Sequence, residues 1–246
     1  MRKITLIFWI VLTVGCAQTA DSLYAYANRA VETEDYVAAI SYYETILSQE
    51  VEQPDLYYNL GNGYYRNGRI GLAVWAYEKG VKLSPRDTDL LFNLKLVNTR
   101  VRDRIERPKT IFIIEGYHVL KRSFTLANLL MLGSGILLIA AVVYFVSTWF
   151  YIRFRSKIIS TLIMLSVLIH GVALDKYWDL SGKKEGIVIP REIEVFSAPY
   201  ERQDGVLFRL HEGIKVEITQ SQPGWMEIHL IDGKKGWVKI TDVRPL

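Results

Sequence analysis

The chain has 246 residues, of which 50% are hydrophobic and 23% are charged, and its formal net charge is +4. This combination of apolar and charged residues indicates polar domains joined to apolar spans rather than one uniform core. The basic residues are spread along the chain, which excludes the concentrated basic face of a nucleic-acid-binding protein. The single cysteine, Cys16, excludes an internal disulfide framework and a cysteine-based zinc site.

The N-terminus has the organisation of a secretory signal peptide over 1–17. The basic start MRK is followed by the apolar run ITLIFWIVLTVG and then by small residues. Cleavage after Ala17 is the first interpretation. The alternative is lipidation of Cys16, because TVGC resembles a lipobox in which Thr13 takes the place of the usual leucine. Both routes export the domain that follows.

The next domain contains an internal repeat with a period of about 34 residues. Its second copy carries Gly61, Ala73 and Gly80 where two packed helices must approach closely, and Pro85 closes the second helix. This pattern resembles the tetratricopeptide repeat, a pair of antiparallel helices. The predicted array covers 20–106, with two repeats, 20–53 and 54–87, and a capping helix. Two repeats are few for a stable array, so segment 107–125 or another protein is expected to cover it.

The resemblance implies a groove, lined by the first helices, that binds extended peptides through an asparagine. Asn28 and Asn62 match that asparagine and are separated by one full period of the repeat. The alternative is that these side chains form only solvated surface. The neighbouring candidates for the groove are Tyr24, Tyr58, Tyr65 and Arg66.

Two apolar segments are predicted to form a transmembrane hairpin. They cover 126–152 and 158–174, long enough for two spans, and follow the membrane-proximal segment 107–125. The loop 153–157 reads RFRSK, and such a basic loop belongs on the cytoplasmic side. The domains before and after the hairpin are then expected in the periplasm.

Residues 183–246 are predicted to form five short strands separated by Gly, Pro and Asp-Gly turns. The pattern resembles bacterial SH3 domains, which are small all-β barrels that bind peptides or cell-wall polymers. The residues that carry this resemblance are Gly213, Trp225, Asp232, Gly233, Gly236 and Trp237. We expect the tryptophans to belong to the core of the domain.

No catalytic constellation is present in the sequence. The four histidines lack metal-ligand spacing, and the glycine-rich segment around Gly61 has neither a preceding strand nor the Lys-Ser or Lys-Thr pair of a phosphate-binding loop. We therefore expect a protein that is not an enzyme, with no catalytic residue, no metal site and no cofactor.

The order of these parts resembles the BatE family of the Bacteroides aerotolerance operon, with its most specific local matches at LHEG (210–213) and WMEI (225–228). The fold class is then a multidomain membrane protein: an α-helical tetratricopeptide array, a two-span transmembrane helical hairpin and a C-terminal all-β SH3-like barrel. The resemblance implies an inner-membrane scaffold for aerotolerance or envelope stress. Its implied partners are von Willebrand factor A-type membrane proteins and a MoxR-type AAA+ ATPase, besides membrane lipid. A peptidoglycan-binding module is the alternative.

Overall fold

The structure is a computed structural model that describes residues 20–105, 111–151 and 153–246. The predicted signal peptide over 1–17, its cleavage point and Cys16 lie outside these residues. Within them the chain forms eight α-helices followed by an antiparallel sheet of seven strands.

Five helices form the N-terminal unit and belong to two series. The first series is α1 (described over 20–32), α3 (Pro54–Arg66) and α5 (Thr88–Asn98), and the second is α2 (Tyr36–Ser48) and α4 (Ile70–Leu83). The start of α5 follows that of α3, and the start of α4 follows that of α2, by one period of the sequence repeat. Local sequence sets several of these starts. The carboxylates of Asp35 and Asp87 accept hydrogen bonds from first-turn amides of α2 and α5, and Pro54 is the first residue of α3.

The core of this unit is built from buried aromatic rings seated against small residues. A Cβ at Gly61 would lie 2.5 Å from the Tyr77 ring, and one at Gly80 would lie 2.6 Å from a methyl carbon of Leu90. The glycines therefore provide the clearance that close helix packing requires. The largest side chains that are fully buried in this core are Tyr43, Tyr57, Tyr64 and Tyr77.

Two long helices follow, α7 (Leu126–Trp149) and α8 (Arg155–Gly182), and by length and composition both are able to cross a membrane. Their mean hydropathies are 2.6 and 2.0, and most of their surface is exposed. They pack side by side at Gly133, where an added Cβ would lie 2.5 Å from the His170 ring. Ser166 strengthens the contact by donating a hydrogen bond of 2.8 Å to the Gly133 carbonyl.

A shorter helix, α6 (Phe112–Ser123), precedes the hairpin and is attached to its far end. The buried Lys121 forms ion pairs with Asp175 and Asp179 near the end of α8, and the Tyr117 hydroxyl also donates to Asp175. These contacts fix α6 against α8.

The C-terminal sheet is antiparallel in every pairing, and its strand order is β3-β2-β6-β5-β4-β1-β7. The sequence predicted five strands closed into a barrel; the structure instead has seven strands that do not close, with β3 and β7 at the edges. The two strands missed are β3, which contains LFRLH, and the three-residue β7. Trp237 is buried, and the Trp225 ring packs edge-on against Phe196 at 5.6 Å. The strands are β1 (Lys184–Val188), β2 (Glu192–Phe196), β3 (Val206–His211), β4 (Lys215–Gln222), β5 (Trp225–His229), β6 (Lys235–Lys239) and β7 (Val243–Pro245).

Candidate functional site

The six residues predicted to line a groove lie on the first helices α1 and α3, and we call them the first-helix face. Asn59 donates a hydrogen bond to the Tyr24 hydroxyl, which joins α3 to α1. Asn93 donates to Oδ1 of Asn62 at 3.0 Å, which joins α5 to α3. The three first helices therefore lie side by side. The first-helix face comprises Tyr24, Asn28, Tyr58, Asn62, Tyr65 and Arg66.

The two asparagines of this face are held by the same hydrogen bond in both repeats. The hydroxyl of Tyr43 donates to Oδ1 of Asn28 at 2.6 Å, and the hydroxyl of Tyr77 donates to Oδ1 of Asn62 at 2.7 Å. Burial raises the pKa of both tyrosines, so each hydroxyl keeps the proton that it donates. Among the described residues no hydrogen bond uses Nδ2 of Asn28 or Asn62. Each amide is thus oriented by its oxygen and retains two donors for a ligand.

The remaining residues of the face differ in their surroundings. Tyr58 and Tyr65 are half-buried, and Arg66 is exposed. Tyr65 and Arg66 line an open cavity of about 330 Å³ together with Ile70 and Arg100. The first-helix face thus includes one side of this cavity but does not surround a single pocket. Arg100 was not among the residues expected from the sequence, although it follows Arg66 by one period of the repeat.

The chemistry available on this face is hydrogen bonding and charge. No group of three histidine, cysteine, aspartate or glutamate side chains within residues 20–105, 111–151 and 153–246 is placed to hold a metal ion. Carboxamide, phenol and guanidinium groups match the carbonyl and carboxylate groups of a peptide.

The sheet packs directly against α4, and the first point of contact is Gly71. A Cβ at this position would lie 2.7 Å from the carbonyl oxygen of Val188 and 3.0 Å from that of Ile189. Trp75, one helical turn later, donates from Nε1 to the carbonyl oxygen of Pro245 at 2.8 Å. The backbone of the sheet therefore lies directly on the surface of α4.

Glu212 from the sheet caps the N-terminus of α4. The residue before this helix, Arg69, contributes no side-chain cap, so the first amides of α4 need a partner from elsewhere. The Gly71 amide donates to Oε2 of Glu212 at 2.9 Å, which places a carboxylate at the positive end of the helix dipole. The cap is thus supplied from 141 residues further along the chain.

The residues on either side of Glu212 also contact the helical unit. The backbone amide of His211 donates to Asp103 at 2.7 Å, and its Nδ1 lies 2.9 Å from the other oxygen of that carboxylate. Gly213 has a φ of +88°, and a Cβ there would lie 2.7 Å from a methyl carbon of Val101. The stretch 211–213 is therefore a docking element that holds the sheet to the helices.

A charge cluster lies at the same boundary. The Lys215 ammonium is 3.1 Å from Glu78 of α4 and 3.1 Å from Glu185 of β1, and Lys82 is 3.0 Å from Glu185. Burial alone would lower the pKa of Lys215, but Glu78 and Glu185 outweigh it and raise that pKa. Burial alone would raise the pKa of Glu185, but Lys215 and Lys82 outweigh it and lower that pKa. The folded arrangement therefore favours the charged form of both groups.

The sheet of the same chain packs against the α4 side of the helical array, a contact that the sequence did not predict. The apolar cores of the two units interlock: Ile187 belongs to the helical core, while Val101 and Ile105 pack on the sheet core. The sequence feature that corresponds to this contact is LHEG (210–213), but the sequence indicated only its resemblance to a family and not its contact with α4. That segment 107–125 or another protein also covers the array stays a prediction.

In comparisons with known proteins, no protein-family model and no curated protein matches the chain.

Proposed function

We propose that the chain is a non-catalytic membrane scaffold that binds partner proteins through a tetratricopeptide array. The observation that carries this proposal is the Tyr–Asn hydrogen bond repeated at Asn28 and Asn62, which leaves an oriented amide donor at the same place in two successive repeats. An extended peptide presents main-chain carbonyl oxygens that need such donors. Two equivalent donors on neighbouring first helices therefore suit a ligand that runs across the array.

The proposed location is a bacterial inner membrane crossed twice by α7 and α8, with both flanking units in the periplasm. Direct packing of the sheet on α4 supports a shared side, because two units that touch cannot lie on opposite sides of a bilayer. The basic turn of the hairpin supports the choice of side. Arg153, Arg155 and Lys157 lie at the turn between α7 and α8, and such a cluster favours the cytoplasmic side, which leaves both flanking units in the periplasm.

The proposed partners follow from the resemblance to the BatE family. They are von Willebrand factor A-type membrane proteins and a MoxR-type AAA+ ATPase system, and the process is aerotolerance or envelope-stress tolerance. In this proposal the C-terminal sheet is a bacterial SH3-like domain. Its docking on α4 and at Val101 supports a structural role for this domain, since it buries apolar surface on the α4 side of a short array.

The test is capture of partners by chemical crosslinking in membranes. The double variant Asn28→Ala and Asn62→Ala removes both amide donors and is expected to lose captured proteins. This variant also removes two acceptors from buried tyrosines, which costs stability. The matched control, Tyr43→Phe with Tyr77→Phe, breaks the same two internal hydrogen bonds and keeps both amide donors but no longer orients them, so it is expected to capture less than the unchanged chain and more than the asparagine variant. Equal capture by the asparagine variant and the unchanged chain would remove the first-helix face from the function.

A second candidate function is binding of peptidoglycan by the C-terminal unit. The observation that favours it is an open cleft of about 520 Å³ beside β2, lined by Phe196 among other residues and by charged groups of both signs such as Glu192 and Arg202. Retention of the full chain on purified cell-wall sacculi tests it. The full chain is needed because the sheet core includes contacts with Val101 and Ile105 of the helical unit.

A further inference from the structure

Two arginines lie together at a cavity without an acidic partner. Arg66 ends α3, Arg100 follows the end of α5, and both line the open cavity of about 330 Å³ with Tyr65 and Ile70. Neither guanidinium makes an ion pair or side-chain hydrogen bond with another described residue. Both residues are exposed to solvent.

Several other cations on the helical unit and the sheet are engaged. Lys215 and Lys82 pair with carboxylates, Arg102 lies 2.8 Å from Nε2 of His211, and the Arg244 guanidinium stacks 3.6 Å from the centroid of the Trp75 ring. The partial negative charge at the end of a helix favours an arginine there, but it amounts to about half a charge and leaves the guanidinium fork unfilled. The two arginines therefore retain their hydrogen-bonding capacity.

The chemistry of the cavity matches a carboxylate. A guanidinium presents parallel N–H donors that bind both oxygens of a carboxylate, and two guanidinium groups at one cavity also supply two positive charges. The Tyr65 ring and Ile70 provide apolar surface beside them. The cavity is open, so a group at the surface of a bound peptide can enter it.

The cavity also continues the first-helix face. Arg66 lies four residues after Asn62, which places the two side chains on one side of α3 and one turn apart. A peptide whose main chain binds the Asn62 amide would therefore reach the arginines within its next few residues. We infer that Arg66 and Arg100 form a binding site for a carboxylate group of the partner's peptide. This inference rests on the proposed function and specifies that the bound peptide is acidic.

The test measures peptide binding to the full chain in lipid nanodiscs. Three hexapeptide probes are compared: one rich in glutamate with both ends blocked, its glutamine counterpart with both ends blocked, and the glutamine peptide with a free C-terminal carboxylate. We expect at least one carboxylate probe to bind about tenfold or more tightly than the blocked glutamine peptide. Which of the two binds more tightly distinguishes a side-chain carboxylate from a C-terminal one.

Variants assign that preference to the two arginines. Arg66→Gln with Arg100→Gln is expected to abolish it, while the control Arg69→Gln with Lys95→Gln removes the same charge from exposed positions outside the cavity and is expected to keep it. A preference that survives the Arg66 and Arg100 changes, or no preference in the unchanged chain, overturns the assignment. Displacement of the probes by inorganic phosphate at lower concentrations than by acetate overturns carboxylate as the ligand.

The same assay separates this inference from the proposed function. In the Asn28→Ala and Asn62→Ala variant, affinity for all three peptides is expected to fall by a similar factor, because the asparagines bind main chain. If that variant binds normally while the arginine variant loses its preference, the carboxylate site stands and the asparagine groove fails. If the asparagine variant loses affinity while the arginine variant keeps its preference, the groove stands and the carboxylate site fails.

Discussion

Replacing Gly71 by alanine tests the contact between α4 and the sheet with a single added methyl group. That methyl carbon would lie 2.7 Å from the Val188 carbonyl oxygen and 3.0 Å from the Ile189 carbonyl oxygen. Both obstacles are backbone, and the Val188 oxygen also accepts a hydrogen bond of 2.8 Å from the Gly213 amide. The sheet therefore cannot give way by rotating a side chain. We expect the overpacking to weaken docking by about 1–3 kcal/mol.

The assay is hydrogen exchange of the full chain in nanodiscs, read at the Gly213 amide. Since about 1.4 kcal/mol corresponds to a factor of ten, exchange there should accelerate roughly 5- to 150-fold. Gly116→Ala is the matched control, because nothing lies within 4 Å of a Cβ at that helical glycine. The control should leave Gly213 unchanged and stabilise α6 by up to about 1 kcal/mol. Unchanged exchange at Gly213 in the Gly71 variant would refute docking through α4.

Three further predictions concern the same boundary and the hairpin. Glu212→Ala should destabilise the start of α4 by about 0.5–2 kcal/mol, seen as faster amide exchange in its first turn, because the helix loses its cap. The pKa of Glu185 is lowered in the folded chain from its ordinary value of 4.5. Its contribution to docking is therefore complete above pH 4.5 and is lost as the pH falls through the lowered pKa. The pKa of Lys215 is raised, so its contribution is lost only above pH 10.5, and a titration of docking should show both limits. Gly133→Ala should separate α7 from α8, because its methyl carbon would meet the His170 ring at 2.5 Å, and a spin-label distance across the hairpin should increase.

Each of these predictions has an outcome that contradicts it. Normal protection of the first turn in the Glu212 variant would mean that water caps α4 equally well. The titration prediction fails if a Glu185→Gln variant docks normally and loses docking at the same low pH as the unchanged chain, because Glu185 would then not cause the pH dependence. An unaltered interhelix distance in the Gly133 variant would show that α7 and α8 do not approach closely at this position.

The sequence was informative where a local pattern determines the structure. The period of the repeat matches the spacing between the starts of α3 and α5 and between those of α2 and α4, and the glycine at 61 marks a place where an aromatic ring leaves no room for a Cβ. The two apolar helices follow from length and hydropathy alone. The sequence pattern does not explain why position 63 is a glycine. In the structure a Cβ there would lie 3.2 Å from a side-chain carbon of Ile40 on α2, so this glycine also lies at a close contact between helices.

The docking of the two units could not be read from the sequence. It depends on pairs such as Gly71 with Glu212, which are 141 residues apart and separated by the hairpin, and no periodicity connects them. The open edge of the sheet was missed for a related reason, because strand patterns indicate pairing but do not determine whether the first and last strands meet. Arg100 was missed since it lies beyond the two copies that define the repeat, in the segment predicted only as a cap.

The most direct test of the proposed scaffold is site-specific photocrosslinking from the first-helix face in native membranes. A photoreactive residue at Tyr58 should form adducts with partner proteins, and the Asn28→Ala and Asn62→Ala changes should abolish them. The same group at Tyr26, which is 56% exposed and lies two residues from Tyr24 on the opposite side of α1, should form none of these adducts. The absence of adducts from position 58, or the same adducts from position 26, would contradict partner binding on the first-helix face.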